Sequence, residues 1–441
     1  MFISKTSKAA IIAGAFIFQF YNTSAQTSVS QLRNQLAGQQ NVITTAVPFL
    51  TITPDSRRAG MGDAGVASSG DANSVFWNAA SLAFAKKDFG LSVSYAPWLR
   101  KLVPGISYNY ISGYGKINKR SAIGGSFRFF SFGDINFTDD VGNPLGTFNP
   151  SEFALDGCYA TQLSKKWALG VSLRFIHSNL AGTRNINGIS PKAGNSGAGD
   201  LSAMYNGVKK IKVKGAKKDL NYTFGAMIQN LGAKITYSDK TSREFIPSNL
   251  KLGTAWTYDI DQFNSITGMI DINKLLVPTP QIKYLSNYRG TGDSIDQSTG
   301  DPIQDGYKKN DDPVITAALK SFTDAPGGLK EELKEYNISV GIEYIYAKQF
   351  MLRGGFFHET KSKGNRKYLT FGFGLRYKVF GLDAAYLVPL VQRHPLQDQL
   401  RFTLLFDLGA LGDAPISGSG AANKIEKPVI GEMTAPFSTY Y

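Results

Sequence analysis

Cysteine is nearly missing: among 441 residues there is one, Cys158. An internal disulfide is therefore impossible, which excludes the small exported domains held together by disulfide frameworks. Histidine is almost as scarce. His177, His358 and His394 lie far apart and lack metal-ligand spacing. No G-x-S-x-G elbow for a serine hydrolase occurs. Gly60, Gly62 and Gly65 spell G-x-G-x-x-G, but they follow Pro54–Arg58 instead of a buried strand, so the dinucleotide reading fails for want of a βαβ unit. The expectation is no catalytic, cofactor or metal site, and no enzyme. Past the N-terminus there is also no apolar run of the roughly 20 residues that a spanning helix needs, and mean hydropathy is −0.16. A formal charge of +14 raises nucleic acid as a partner. The basic residues are scattered instead of forming one stripe, which argues against it.

What is present begins with Lys5 and Lys8, an apolar stretch from Ala9 to Tyr21, and small residues at Asn22-Thr23-Ser24-Ala25. This is the pattern of a cleavable secretory signal over residues 1–25. Gln26, not cysteine, would begin the mature chain, so a lipid anchor on a new N-terminal cysteine is excluded. An exported chain without spanning helices can hold a membrane only as a closed barrel, because lipid leaves no other way to satisfy the backbone. The 46 glycines, 29 phenylalanines and 21 tyrosines suit one.

From Asp88 onward, segments of about ten residues alternate with period two, the length and pattern of a tilted transmembrane strand. In the clearest, Trp167, Leu169, Val171, Leu173 and Phe175 share one face, and Ala168, Gly170, Ser172 and Arg174 the other. Such segments fall near residues 88–96, 105–114, 120–132, 151–163, 167–180, 198–208, 219–229, 248–258, 263–272, 337–347, 350–358, 367–377, 380–387 and 400–408. The pattern predicts an all-β, about fourteen-stranded antiparallel transmembrane barrel over 88–408, an even count as in single-chain bacterial barrels. Links alternate in length. Short ones fall at Ser164–Lys166, Tyr258–Gln262, Lys348–Gln349 and Lys378–Val379. Long ones fall at Gly133–Pro150, Ala181–Gly197, Asn230–Pro247 and Asn273–Tyr336. With both termini in the periplasm, the long loops emerge outside the cell. A soluble β-sandwich would have to bury one entire apolar face of so many strands, and sidedness would not govern its links.

Residues 26–87 are loop-like and glycine-rich, suited to an N-terminal hatch or plug, and 409–441 read as a flexible periplasmic tail. Charges of both signs fall on inward faces: Arg128, Asp156, Arg174, Asp271, Glu343, Arg353, Arg376, Asp383, Arg401 and Asp407. They could select solutes in a pore. Ionised groups in a confined lumen need partners, however, so a network joining them to Asp55, Arg57 and Arg58 of the plug is the favoured reading.

Several strings carry a family resemblance: Phe49-Leu50-Thr51-Ile52-Thr53-Pro54-Asp55-Ser56-Arg57, Gly60 to Ala67, Phe76-Trp77-Asn78, Ser94 to Val103, Asn273 to Pro280, Asp324 to Gly328 with Glu331-Glu332-Leu333, and Lys363-Gly364-Asn365-Arg366. The chain resembles the fatty-acid-transporter-like (FadL-like) barrels and, more narrowly, the PorV family of outer-membrane subunits of the type IX secretion system of Bacteroidetes. Ala79 departs from the family, which usually has proline after the Trp-Asn pair. The resemblance implies a fourteen-stranded barrel that acts as a carrier. It would receive cargo bearing a C-terminal signal domain from the giant translocon barrel and pass it to a surface complex whose protease removes the signal and attaches the cargo to lipopolysaccharide. Outer loops would dock these partners. Trp98, Arg100 and Lys101 offer an aromatic and basic anchor, or else grip the membrane interface at the rim, and Pro278 and Pro280 stiffen the longest loop. Two other functions stand beside this one: an importer of apolar small molecules, and an enzyme acting on lipopolysaccharide. The enzyme would need convergent Ser, His and Asp at the rim, and no such set is evident.

Overall fold

A computed structural model describes residues 42–99, 105–138, 141–180, 182, 192–213, 216–237, 243–280, 283–284, 304–305, 312–325, 328–391, 396–397 and 399–407. The signal, the tail, Arg100 and Lys101, and nearly all of 285–311 lie outside them. Fourteen strands form one closed antiparallel barrel. They are β1 (Phe89–Pro97), β2 (Ile106–Lys116), β3 (Ser121–Phe132), β4 (Ser151–Gln162), β5 (Trp167–Asn179), β6 (Gly194–Val213), β7 (Ala216–Gly232), β8 (Asn249–Asp259), β9 (Asn264–Leu275), β10 (Asn337–Tyr346), β11 (Phe350–His358), β12 (Lys367–Tyr377), β13 (Phe380–Pro389) and β14 (Gln399–Asp407). Each pairs with its sequence neighbour, and β1 closes on β14 from Gly90↔Asp407 to Tyr95↔Phe402.

Period-two alternation becomes an outward and an inward face. On β5, Leu169, Val171, Leu173 and Phe175 are 44 to 71% exposed while Ala168, Ser172 and Arg174 are at most 3% exposed. An apolar band exposed on every strand has no stable place in water, and lipid is the solvent it fits. Among the described residues no helix is long and apolar enough to cross a membrane. The crossing is made by strands.

A fourteen-stranded barrel is wider than its own side chains can fill. Much of the space is taken by residues 47–85, which carry the short helices Ser56–Ala59 and Ser74–Trp77 and the 3₁₀ turns Pro48–Thr51 and Ala79–Phe84. Phe49, Leu50, Met61, Val75, Phe76 and Leu82 are fully buried there. Inward faces are small so that this segment fits. An added Cβ at Gly170, Gly225 or Gly341 would sit 2.3 to 2.5 Å from the backbone of Ala80, Val66 or Met61.

The links sort by side as the sequence pattern predicts, with two differences in extent. β6 and β7 run to Val213 and from Ala216, beyond the expected 198–208 and 219–229, and pair to their tip through Lys212↔Lys217 and Val213↔Ala216. Lysines interrupt the apolar alternation there while backbone pairing continues past the lipid-facing band. At the opposite end β6 starts at Gly194 and β7 runs to Gly232, so the flanking loops are shorter than the sequence suggested. A register shift between Gly199 and Leu201 lies opposite Asn230, whose φ is +59°. The long link after β3 folds into its own hairpin, Ile135–Thr138 against Pro144–Phe148, and the link before β10 carries a helix, Val314–Lys320.

Candidate functional site

Two sets of charges meet the segment inside the barrel. On one wall, Arg128 donates to Asp156 at 2.7 Å, Arg174 donates to the other oxygen of Asp156, and Arg174 also reaches Asp200 at 3.0 Å. Strand register makes this possible, because Asp156 on β4 pairs directly with Arg174 on β5 and Ser126 on β3. Arg128 lies 5.1 Å from the ring centroid of Phe76. On the other wall, Glu343 accepts from Arg353 at 2.7 Å and from Arg57 at 2.9 Å, and Asp383 accepts from Arg353 and Arg376 at 2.8 Å each.

Within the segment, Arg58 binds Asp71 at 2.8 Å and Asp55 at 3.4 Å, while Asp55 also accepts from Trp77 Nε1 at 2.6 Å. Burial alone would raise the Asp71 carboxyl, but the Arg58 and Arg57 guanidiniums outweigh it and hold the group below the usual carboxylate range. For Asp55 the balance is reversed: burial prevails over Arg58 and pushes it up. Within the luminal network, Asp55, Arg57, Arg58, Arg128, Asp156, Arg174, Glu343, Arg353 and Arg376 thus each have an opposite-charge partner. Asp71 and Asp200 complete it and were not singled out from the sequence, because period-two alternation says which face a residue takes but not which partner it meets.

Backbone contacts fasten the segment as firmly. Asp271 accepts from the N–H groups of Gly65 and Val66 at 2.6 and 2.9 Å, Gln229 donates to Phe76 O at 2.9 Å, and Arg401 donates to Thr53 O at 3.0 Å. Gly62, at φ +68°, lies against Phe356, where a side chain would collide with backbone.

At the mouth on the long-loop side, three of the strings that carried the resemblance converge. Lys274 donates to Glu332 and Glu335 at 2.6 Å each, Lys363 to Glu331 at 2.8 Å and Glu335 at 2.9 Å, and Thr279 Oγ1 to Glu335 at 2.6 Å. Residues 273–280, 324–325, 328–335 and 363–366 are thereby drawn into one cluster. Pro278 is buried within it and Pro280 half-buried. Trp98 points inward. It meets Phe130 edge-to-face at 6.4 Å, and the Arg401 guanidinium stands 5.5 Å from its centroid. It lines a mostly apolar cavity of about 630 Å³ with Phe49, Ile52, Ile106, Phe130 and Phe132. A second, polar cavity of about 450 Å³ lies beside it, reached by Thr53, Asp63, Arg366 and Tyr368 from both.

A closed, lipid-banded barrel of fourteen strands, occupied by its own N-terminal segment, defines the molecule as an outer-membrane β-barrel protein. Residues 35–282, more than half of the chain, match the family described as "Type IX secretion system protein PorV". The chain belongs to the PorV family. Among solved structures it is similar to the Ralstonia pickettii toluene transporter TbuX (13% identity, 80% of this chain and 97% of that one, TM-score 0.39). It is also similar to a Pseudomonas aeruginosa FadL homologue (11%, 83% and 99%, 0.39) and to the Pseudomonas putida toluene transporter TodX (11%, 81% and 96%, 0.42). Likeness this distant carries no functional argument. No curated protein sequence matches the chain.

Proposed function

We propose that this type IX secretion component is a carrier and not an enzyme. It takes cargo bearing a C-terminal signal domain from the translocon barrel and presents it to the surface complex that removes the signal. The match to the PorV family over residues 35–282 carries this reading. A lumen crossed by residues 47–85 and tied to both walls, through Arg57 to Glu343, the Gly65 and Val66 N–H groups to Asp271, and Arg128 over Phe76, supports a carrier over a conduit for folded protein. The long loops, including 285–311, would form the outer docking face, with both termini in the periplasm, residues 1–25 removed on export, 26–87 serving as the hatch and 409–441 as a tail. Arg100 and Lys101 would lie on that face.

The test is co-purification. The tagged protein, extracted from native membranes in mild detergent, should bring down the translocon barrel and signal-bearing cargo, identified by mass spectrometry. Recovery of neither would overturn the carrier reading.

The apolar cavity beside Trp98 favours one second reading, an importer of apolar small molecules. Uptake of a radiolabelled hydrocarbon by liposomes holding the purified barrel would support it, and no uptake above empty liposomes would remove it.

A further inference from the structure

One hairpin leaves the barrel. On the short-link side β5 begins at Trp167, which pairs with Tyr205, and Asn206 N donates to Lys166 O at 2.8 Å. On the other flank the last residue of β7 paired with β8 is Leu220. Beyond these points β6 and β7 pair only with each other, from Lys210↔Asp219 to Val213↔Ala216. Trp167, Tyr205 and Tyr222 sit side by side, with centroids 5.0 and 6.0 Å apart, as an aromatic girdle at the edge of the hydrocarbon. At about 3.3 Å per residue, the stretch from Asn206 to Val213 reaches roughly 23 Å past that edge, or roughly 17 Å along the membrane normal at a tilt of about 40°. A headgroup layer is only about 5–8 Å deep. The two-stranded ribbon therefore ends in water beyond the lipid.

Two strands alone are marginal in water, and the charge of this pair weakens them further. Residues 208–220 hold six lysines, Lys209, Lys210, Lys212, Lys214, Lys217 and Lys218, against Asp219, a net +5 (6 − 1). Lys212 stands directly opposite Lys217, a cross-strand pairing of like charges that costs stability. Lys209, Lys210 and Lys212 are exposed, and among the described residues no carboxylate lies within ion-pair distance of them or of Lys218, whose Nζ donates to Ile260 O at 2.7 Å. Lys218 also feels Asp261 of the neighbouring turn, whose carboxyl is held low first by the Phe263 N–H and then by Asn264. Counting Asp259 and Asp261 of that turn, the excess is still +3 (6 − 3).

The other short links set the contrast. Lys119 and Arg120, Lys165 and Lys166, Lys348 and Lys378 follow the exposed apolar residues Ile117, Leu163, Tyr346 and Tyr377, which places them at the lipid headgroups. The ribbon extends past that level. Interfaces with folded proteins are enriched in aromatic residues and arginine and depleted in lysine, whereas residues 208–219 contain neither an aromatic residue nor an arginine. Lysine is a hydrated point charge on a flexible stem. A row of them without a pocket fits a hydrated polymer that carries its anions at intervals.

We propose that this ribbon binds the cell wall, its lysines meeting the free carboxylates of peptidoglycan. The inference goes beyond the carrier reading and needs only the topology in which the short links face the periplasm. Impermeant-maleimide labelling of a Lys166→Cys variant measures that orientation separately.

The experiment uses the full-length protein in a non-ionic detergent, sedimented with purified peptidoglycan sacculi. Native protein should pellet with them at low salt and be released at high salt. Changing the six lysines together, Lys209→Gln, Lys210→Gln, Lys212→Gln, Lys214→Gln, Lys217→Gln and Lys218→Gln, should lower the bound fraction at least tenfold. Lys119→Gln, Lys165→Gln, Lys166→Gln and Lys348→Gln together should leave it unchanged. Sacculi whose carboxylates have been converted to amides should not bind native protein, and that comparison decides even where a variant fails to assemble. No pelleting of native protein, equal pelleting with amidated sacculi, or equal pelleting of the assembled six-lysine variant would overturn the proposal. Capture by anionic-phospholipid vesicles that the six substitutions abolish, with no binding to sacculi, would overturn it too and assign the ribbon to lipid headgroups.

Discussion

Asp156 shows how much can depend on one side chain. Its carboxylate is fully buried and serves two guanidiniums, Arg128 and Arg174, that have left water for the barrel interior. Breaking a buried pair from one side leaves the other charge uncompensated, at a cost of about 3–5 kcal/mol. Asp156→Asn is therefore expected to lower the temperature at which the folded, fast-migrating band disappears on unboiled gels. An unchanged transition would mean that the network contributes nothing to holding the barrel. Gly355 tests a different physics. A Cβ added there would stand 2.0 Å from Gly62 N, backbone against backbone with no flexible atom to yield. Gly355→Val should displace the luminal segment while strands still pair, so limited proteolysis should newly cleave between residues 47 and 85. Continued protection would show that the segment can shift without leaving. Of this scale, period-two alternation placed charges of both signs on inward faces. It did not reveal Lys274, Glu332 and Glu335 as partners, because their meeting depends on how a sixty-residue link folds back over the mouth.

Among the elements, the strands were the most legible, because lipid on one side and a packed lumen on the other enforce alternation on every one of them. Where that constraint lapses, legibility lapses too. β6 and β7 extend past the apolar band to a lysine-rich tip at Val213 and Ala216, and period-two hydropathy could not find their ends. The inward glycines and alanines read simply as a small face. Their cause, the close passage of residues 47–85, becomes visible only once the barrel closes. Sidedness remains to be measured. Cysteines introduced at Asn143 and Asp301 should react with an impermeant maleimide on intact cells, and one at Lys166 should not, since Lys166 lies in a short turn between β4 and β5. The native Cys158 is buried and supplies a low background. Labelling of Lys166 with protection of the other two would invert the topology. Removing 286–312, a stretch rich in Gly, Asp and Ser, should leave assembly intact while weakening cargo or translocon binding, because barrel closure depends on strand pairing and the lipid-facing band. Loss of heat-modifiability in that variant would show the loop to be structural.

At the scale of the whole molecule, the barrel is built like a container whose interior is already occupied and whose mouth is organised by an ionic cluster, an apolar cavity and a polar one. Fold and family were both within reach of the sequence, the first through alternation and link lengths, the second through strings that the structure places in the luminal segment and at the mouth. The role of the molecule in transport is best judged in the cell. A strain lacking this protein, examined by immunoblot of cell and medium fractions for a signal-bearing cargo, tests the central claim most directly. The carrier account predicts unprocessed cargo retained in the cells and secretion restored by the full-length chain. Normal release and trimming of cargo in the deletion strain would contradict it and leave the importer of apolar molecules as the leading account.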